Sequence, residues 1–178
     1  MGLECFDAHE FDVVSEGLRI AEDKTADYYK FSLGQWKRHR YDVKTLSSLI
    51  REEVSDHAFA MLNRTESGLK HVFPGNRRGE FYFICLQDHQ ILRALKRDAN
   101  LALLPLIVYV FTHELIHIVR FCNFSQRFEI RGKHRHEEES IVHQTTYEAL
   151  KNLSLSKMDY VLDSYQFHRM CELGYSPM

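Results

Sequence analysis

His113, Glu114 and His117 stand in the run H-E-L-I-H, two imidazoles four residues apart with a carboxylate beside the first. On a helix, residues four apart lie on one face one turn apart, so both rings reach a common point. The glutamate is turned about 100° from its neighbour, where it faces a water held by a metal rather than the metal. Zinc lowers the pKa of such a water toward about 7. A carboxylate next to it then takes the proton as hydroxide attacks a carbonyl. The motif therefore predicts Zn2+ on His113 and His117, with Glu114 as the general base. With 11 histidines in the chain, chance supplies roughly 0.06 matches to this pattern, so the setting of the motif must add to its identity. It continues the uncharged stretch LALLPLIVYVF, Leu101 to Phe111. A carboxylate buried there without a partner is expensive, and a metal centre supplies a partner.

A catalytic zinc site needs a third protein ligand and one open position. His134, His136, Glu137, Glu138, Glu139 and His143 form the supply. Successive helical residues are rotated by about 100°, so the three glutamates cannot all point inward. Glu139 is preferred, because His143 follows one turn later on the same face, placed to bond a ligand or a bound water. Glu138 comes next, on a small apolar face with Val142 and Ala149, and His136 third. The remaining acids suit a helix start, where negative charge complements the macrodipole. Tyr147, Tyr160, His143 and His168 are the candidate donors to a developing oxyanion. The expected site is thus His113, His117 and Glu139 on the metal, with Glu114 and His143 as catalytic groups.

The elements that must carry these residues read as mostly helical. The first 40 residues have helical character, blurred near Gly34 and the aromatic cluster Tyr28, Tyr29, Phe31 and Trp36. Between Lys44 and Glu66 the apolar positions Leu46, Leu49, Ile50, Val54, Ala58, Met61 and Leu62 are spaced for a helix with one buried face. Phe73-Pro74-Gly75-Asn76 is a turn signal, with Gly79 extending the loop. FYFICL, Phe81 to Leu86, then reads as a short strand. A helix from Gln87 to about Arg97 follows. The motif helix begins near Asn100 or Pro105, since proline is tolerated in a first turn, and runs to about Phe121. Cys122 to His136 reads as a loop, with a short strand at Phe128-Glu129-Ile130. Helix resumes near Glu137 and reaches about Leu153. A last helix, capped by Ser156, buries Met158, Val161, Leu162 and Tyr165 and stops at Gly174. The predicted fold class is α+β, predominantly helical, in one domain spanning 1–178.

Composition narrows the function. Hydrophobic residues make up 44% and charged residues 27% of 178, which fits one soluble globular domain. A formal charge of −2 and a pI near 6.6 give no electrostatic case for a nucleic-acid partner. The four cysteines are scattered, with no C-x-x-C pair, so neither a zinc ribbon nor a disulfide scaffold is expected. The acidic N-terminus has no apolar run of the secretion type, and the cytoplasm is the expected compartment. A membrane span needs about 20 predominantly apolar residues, and Glu114 arrives too early for that. A buried core helix is expected instead, with no membrane partner.

HELIH on a buried helix followed by a glutamate on the next helix resembles the gluzincin class of zinc metallopeptidases. The resemblance covers roughly residues 80–150. It implies a zincin-like core with His113 and His117 on zinc, Glu114 as base, a later glutamate as third ligand, and a peptide or protein substrate. That later helix often reads E-x-x-A-D in the class, its last acid supporting a zinc-bound histidine. Here Glu139 to His143 reads E-x-x-V-H, so the supporting acid is replaced by His143. The class also gives Phe81–Leu86 a role, lining the cleft and pairing with extended substrate as a sheet edge does. No histidine follows at H-x-x-G-x-x-H spacing, against a metzincin-type site. Residues 1–75 lie outside the resemblance and form a helical part of unknown role. Two other readings compete: a metal-binding regulatory or interaction module without hydrolysis, and a helical interaction protein in which the motif is accidental.

Overall fold

The first helix, α1 (Ala8–Tyr29), is fixed at its start by a reciprocal capping box. Asp7 accepts from the Glu10 N–H and Glu10 accepts from the Asp7 N–H, each at 2.8 Å, satisfying two donors that helix geometry leaves orphaned. It ends on Lys30 in the left-handed region (φ 55). Its buried face is Val14, Gly17, Ala21 and Thr25, mostly small side chains that permit close approach of another helix. The computed structural model describes residues 2–66, 80–123, 133–165 and 174–175. Beyond α1 its elements are α2 (Leu33–Trp36), β1 (Tyr41–Lys44), β2 (Ala60–Glu66), β3 (Glu80–Leu86), α3 (Asp88–Arg97), α4 (Leu103–Cys122), α5 (Lys133–Leu150), α6 (Met158–Tyr165) and β4 (Gly174–Tyr175). The fold is α+β, with helices dominating a small sheet.

The four strands lie in the order β1-β3-β2-β4. β2 and β3 are antiparallel from Ala60↔Leu86 to Glu66↔Glu80. β1 pairs parallel to β3, and β4 parallel to β2. Alternation along β3 sends Tyr82, Ile84 and Leu86, all fully buried, into the core. β3 has a neighbour on each side, which corrects the expectation that Phe81–Leu86 pairs with an extended substrate: the outer strands are β1 and β4.

The helix expected over Lys44–Glu66 is not formed. That segment holds the end of β1, two 3-10 turns at Leu46–Ser48 and Arg51–Glu53, and then β2. The reason is tertiary. The buried Asp88 carboxylate accepts from the Leu46 N–H at 3.0 Å and from the Phe6 N–H at 3.1 Å. The Gln87 amide accepts from the Ser55 N–H at 2.8 Å and donates to the Glu53 carbonyl at 2.9 Å. These side chains satisfy backbone groups that a helix would otherwise pair with one another. Ile50, assigned to the buried face of that helix, is 59% exposed.

α4 is the centre of the molecule. Every residue from Pro105 to Val119 is buried, because α1, α5, α6, β2 and β3 all pack around it. It is long and apolar enough to cross a bilayer, yet it is mostly buried inside this fold, as expected of a core helix. Pro105 sits in its first turn, where a missing N–H costs nothing. α5 starts one turn earlier than expected, at Lys133, and ends at Leu150. α6 buries Met158, Val161, Leu162 and Tyr165 as the spacing predicts. It begins two residues after Ser156, past a left-handed Lys157 (φ 65). Gly174, expected to stop this helix, belongs instead to β4. The turn at Phe73–Gly79 and the strand at Phe128–Ile130 lie outside the described residues.

Candidate metal centre

The apolar residues on all sides of α4 carry its polar motif into the interior. His113 and His117 are fully buried and Glu114 is 2% exposed. The two histidines are one turn apart, and their Nε2 atoms approach to 3.1 Å. α5 packs across this face and brings Glu139 against both rings. Its Oε2 lies 3.3 Å from His113 Nε2 and its Oε1 3.5 Å from His117 Nε2. Bonds of about 2.0–2.1 Å from zinc to nitrogen and carboxylate oxygen give a tetrahedron whose edges are roughly 3.3–3.4 Å. The His113–His117 separation of 3.1 Å and the two contacts made by different oxygens of Glu139 lie near that value, so these side chains could hold a small cation. Glu139 is partly exposed and marks the side of the set nearest to solvent.

His143, one turn after Glu139 on α5, is also buried. It offers a ligand atom within 4.8 Å of those of His113 and Glu139, so these three side chains also form a group that could hold a metal ion. Its ring lies 4.5 Å from that of His113. Its Nδ1 is 2.6 Å from the Tyr109 hydroxyl, and that hydroxyl also lies 3.4 Å from the Tyr165 carbonyl. Tyr109 precedes His113 by one turn of α4, so the same helix face carries His113 and the anchor of His143.

Glu138 takes a different part from its neighbour. Fully buried, it receives two hydrogen bonds from Arg120, Nε to Oε1 and Nη2 to Oε2, each 2.7 Å. Its Oε1 is 3.8 Å from His117 Nδ1. Glu137, His134 and His136 are exposed at the start of α5, and His134 faces Glu137 at 3.3 Å. Tyr160, a candidate oxyanion donor, bonds Asp98 at 2.7 Å on the surface, which removes it from that role. Tyr147 is partly buried against the core, and His168 lies outside the described residues. Tyr109 and Arg120 were not singled out by the motif. The signal was their spacing, one turn before His113 and three residues after His117.

The electrostatics follow from burial among like charges. Glu114 is pushed up to about 8, chiefly by desolvation, with the Glu139 charge acting in the same direction and His117 opposing. Its Oε1 has no hydrogen-bond partner among the described residues. Burial acts against a charge on His117, but Glu138, Glu139 and Glu114 outweigh it and raise the ring to about 9. Burial likewise opposes ionisation of Glu138, yet Arg120 and His117 hold it at about 2. Glu139 is lowered, its desolvation overcome by His113 and His117. Strongly shifted groups gathered at one point make this cluster a functional-site candidate.

No protein-family model matches the chain, and no curated protein or solved structure shows significant similarity to it. The functional argument therefore rests on the site itself.

Proposed function

We propose that the chain is a zinc-dependent hydrolase, a metallopeptidase of minimal gluzincin-like type acting in the cytoplasm on a peptide or protein substrate. One observation carries the reading: His113 Nε2, His117 Nε2 and the Glu139 carboxylate lie 3.1 to 3.5 Å from one another, with the buried Glu114 beside them. Those three side chains would hold the zinc, and α4, α5 and the sheet would form the zincin-like core. Zinc in such a site supplies Lewis acidity, making water a nucleophile near neutral pH and polarising a carbonyl. Glu114 takes the proton of the attacking water and passes it to the leaving nitrogen. A base working near neutral pH benefits from a raised pKa, and burial supplies it here. His143, anchored by Tyr109, donates to the oxyanion as charge develops there.

The test is Glu114→Gln. The variant keeps one zinc per chain, measured by elemental analysis, and loses cleavage of an internally quenched peptide library that the wild type turns over. Loss of the metal, or undiminished cleavage, refutes the base role. A second reading, a metal-binding module without hydrolysis, has its support in the nearness of His143 to the same cluster. In that reading His143 is a fourth protein ligand and closes the site. X-ray absorption of the zinc protein separates the two: three imidazoles and a carboxylate favour the module, two imidazoles and a solvent oxygen the enzyme.

A further inference from the structure

We infer that Glu138, held by Arg120, is a positioning residue for His117 that fixes which ring nitrogen faces the metal. The inference rests on the zinc-site reading above and concerns how the chain builds that site. In the resembled class an acid after the ligand glutamate supports a zinc-bound histidine, and here that position is His143. The support is supplied from the opposite direction, by the residue immediately before the ligand.

The geometry for this is specific. Neighbouring residues on a helix diverge by about 100°, so Glu138 and Glu139 leave α5 on different sides, and the His117 ring lies between them. Its Nε2 is 3.5 Å from Glu139 Oε1 and its Nδ1 is 3.8 Å from Glu138 Oε1. One carboxylate therefore stands at each ring nitrogen. An imidazole binds a metal through one nitrogen only while the other carries the proton, and a carboxylate at that second nitrogen selects the tautomer. At 3.8 Å the contact acts through charge rather than as a hydrogen bond, which makes the sign of the Glu138 charge the operative feature.

Arg120 keeps that charge in place. Its fork takes both oxygens of Glu138 at 2.7 Å, a paired geometry that fixes orientation as well as ionisation. Arg120 comes from α4, three residues after His117. The metal-ligating ring and the clamp on its supporting acid thus belong to one rigid helix. A clamp joining α4 to α5 would by itself matter only to stability. A positioning role also predicts an effect on metal affinity and on the ring.

The experiment measures zinc affinity of the full chain by competition with a chromophoric chelator, alongside the His117 tautomer by long-range 15N–1H correlation of 15N-histidine-labelled zinc protein. The wild type binds one zinc with His117 in the Nδ1–H form. Glu138→Gln is expected to bind zinc roughly 10–100-fold more weakly, with the same absorption bands in the cobalt-substituted protein. The His117 Nδ1–H signal shifts or broadens. Wild-type affinity together with an unchanged His117 signal in Glu138→Gln overturns the inference. If the single variant does not fold, the double variant R120Q/E138Q, which removes both charges together, is held to the same expectation and the same refutation. A wild-type chain that binds no zinc refutes the zinc-site reading itself, an outcome distinct from either result on Glu138.

Discussion

Replacing Glu114 by glutamine in the zinc-free protein is expected to stabilise the fold, and to do so only above mildly acidic pH. In the unfolded chain this carboxyl ionises near 4.5, whereas burial raises it to about 8 in the fold. Between these values the folded state binds the proton more tightly than the unfolded state. Stability conferred by the raised group is therefore present at low pH and is lost as pH rises toward 8. Each pH unit in that window costs about 1.4 kcal/mol, so wild type at pH 7 carries a penalty of about 3 kcal/mol from this residue. Glutamine has nearly the same shape and no such titration. In a chain of this length 1 kcal/mol moves the melting temperature by roughly 2–4 °C, so the gap at pH 7 is on the order of 10 °C. Any fixed cost of burying the amide is the same at every pH, and the comparison of pH 5 with pH 8 removes it. The assay is thermal unfolding of both proteins after chelation, at pH 5, 7 and 8, then repeated with zinc. The gap widens from pH 5 to pH 8 and narrows with zinc, because a divalent cation favours the ionised carboxylate. A gap of equal size at pH 5 and pH 8, or a wild type more stable than Glu114→Gln at pH 8, refutes the claim that Glu114 is a desolvated acid.

Two further outcomes are expected. Zinc uptake at pH 7 releases close to two protons, one from Glu114 and one from His117, whose raised values of about 8 and 9 keep both protonated in the metal-free fold. Calorimetry in buffers of different ionisation enthalpy measures the number, which falls as pH rises through 8 and then through 9, and zero release at pH 7 contradicts it. Gly17→Ala is expected to destabilise the protein, since a Cβ there would lie 2.5 Å from Cγ2 of Ile107 on α4. Alanine gains about 1 kcal/mol in helix propensity, but overpacking costs roughly 1–3 kcal/mol and Ile107 has little rotamer freedom in a helix. A melting temperature at or above that of wild type would show that α1 and α4 separate at no cost.

What the sequence disclosed follows from the range of the interactions involved. The motif histidines, the buried α4 and the face shared by Glu139 and His143 depend on helical periodicity, and periodicity is local. So do the buried positions of α6 and the strand at Phe81–Leu86. The segment Lys44–Glu66 has an equally regular pattern, yet Asp88 and Gln87 claim its backbone from some 30 to 40 residues away, and no local pattern announces that. The central place of β3 was hidden for the same reason, because its parallel neighbour β1 comes from a distant part of the chain. Within the site, the 100° rotation separates Glu138 from Glu139. Which of them meets Nε2 and which meets Arg120 depends on how α5 lies across α4.

The charges of the buried set bear on which ion it suits. Among the described residues, and with the histidines neutral, the carboxylates of Glu114, Glu138 and Glu139 stand against the guanidinium of Arg120, a balance of two negative charges in a largely buried site. Charge of that kind is too costly to keep in a core, and the metal-free fold avoids it by protonating Glu114 and His117. A dication supplies the same compensation without those protons. A monovalent ion would leave one charge over, and a trivalent ion would exceed the balance. Arg120 matters to this arithmetic as much as to geometry. Without it Glu138 would add a third uncompensated charge, and a proton or the metal would be drawn toward Glu138 in place of Glu139. Pairing Glu138 with Arg120 would leave Glu139 as the carboxylate directed at a bound dication, and would let two adjacent glutamates on one helix carry separate roles.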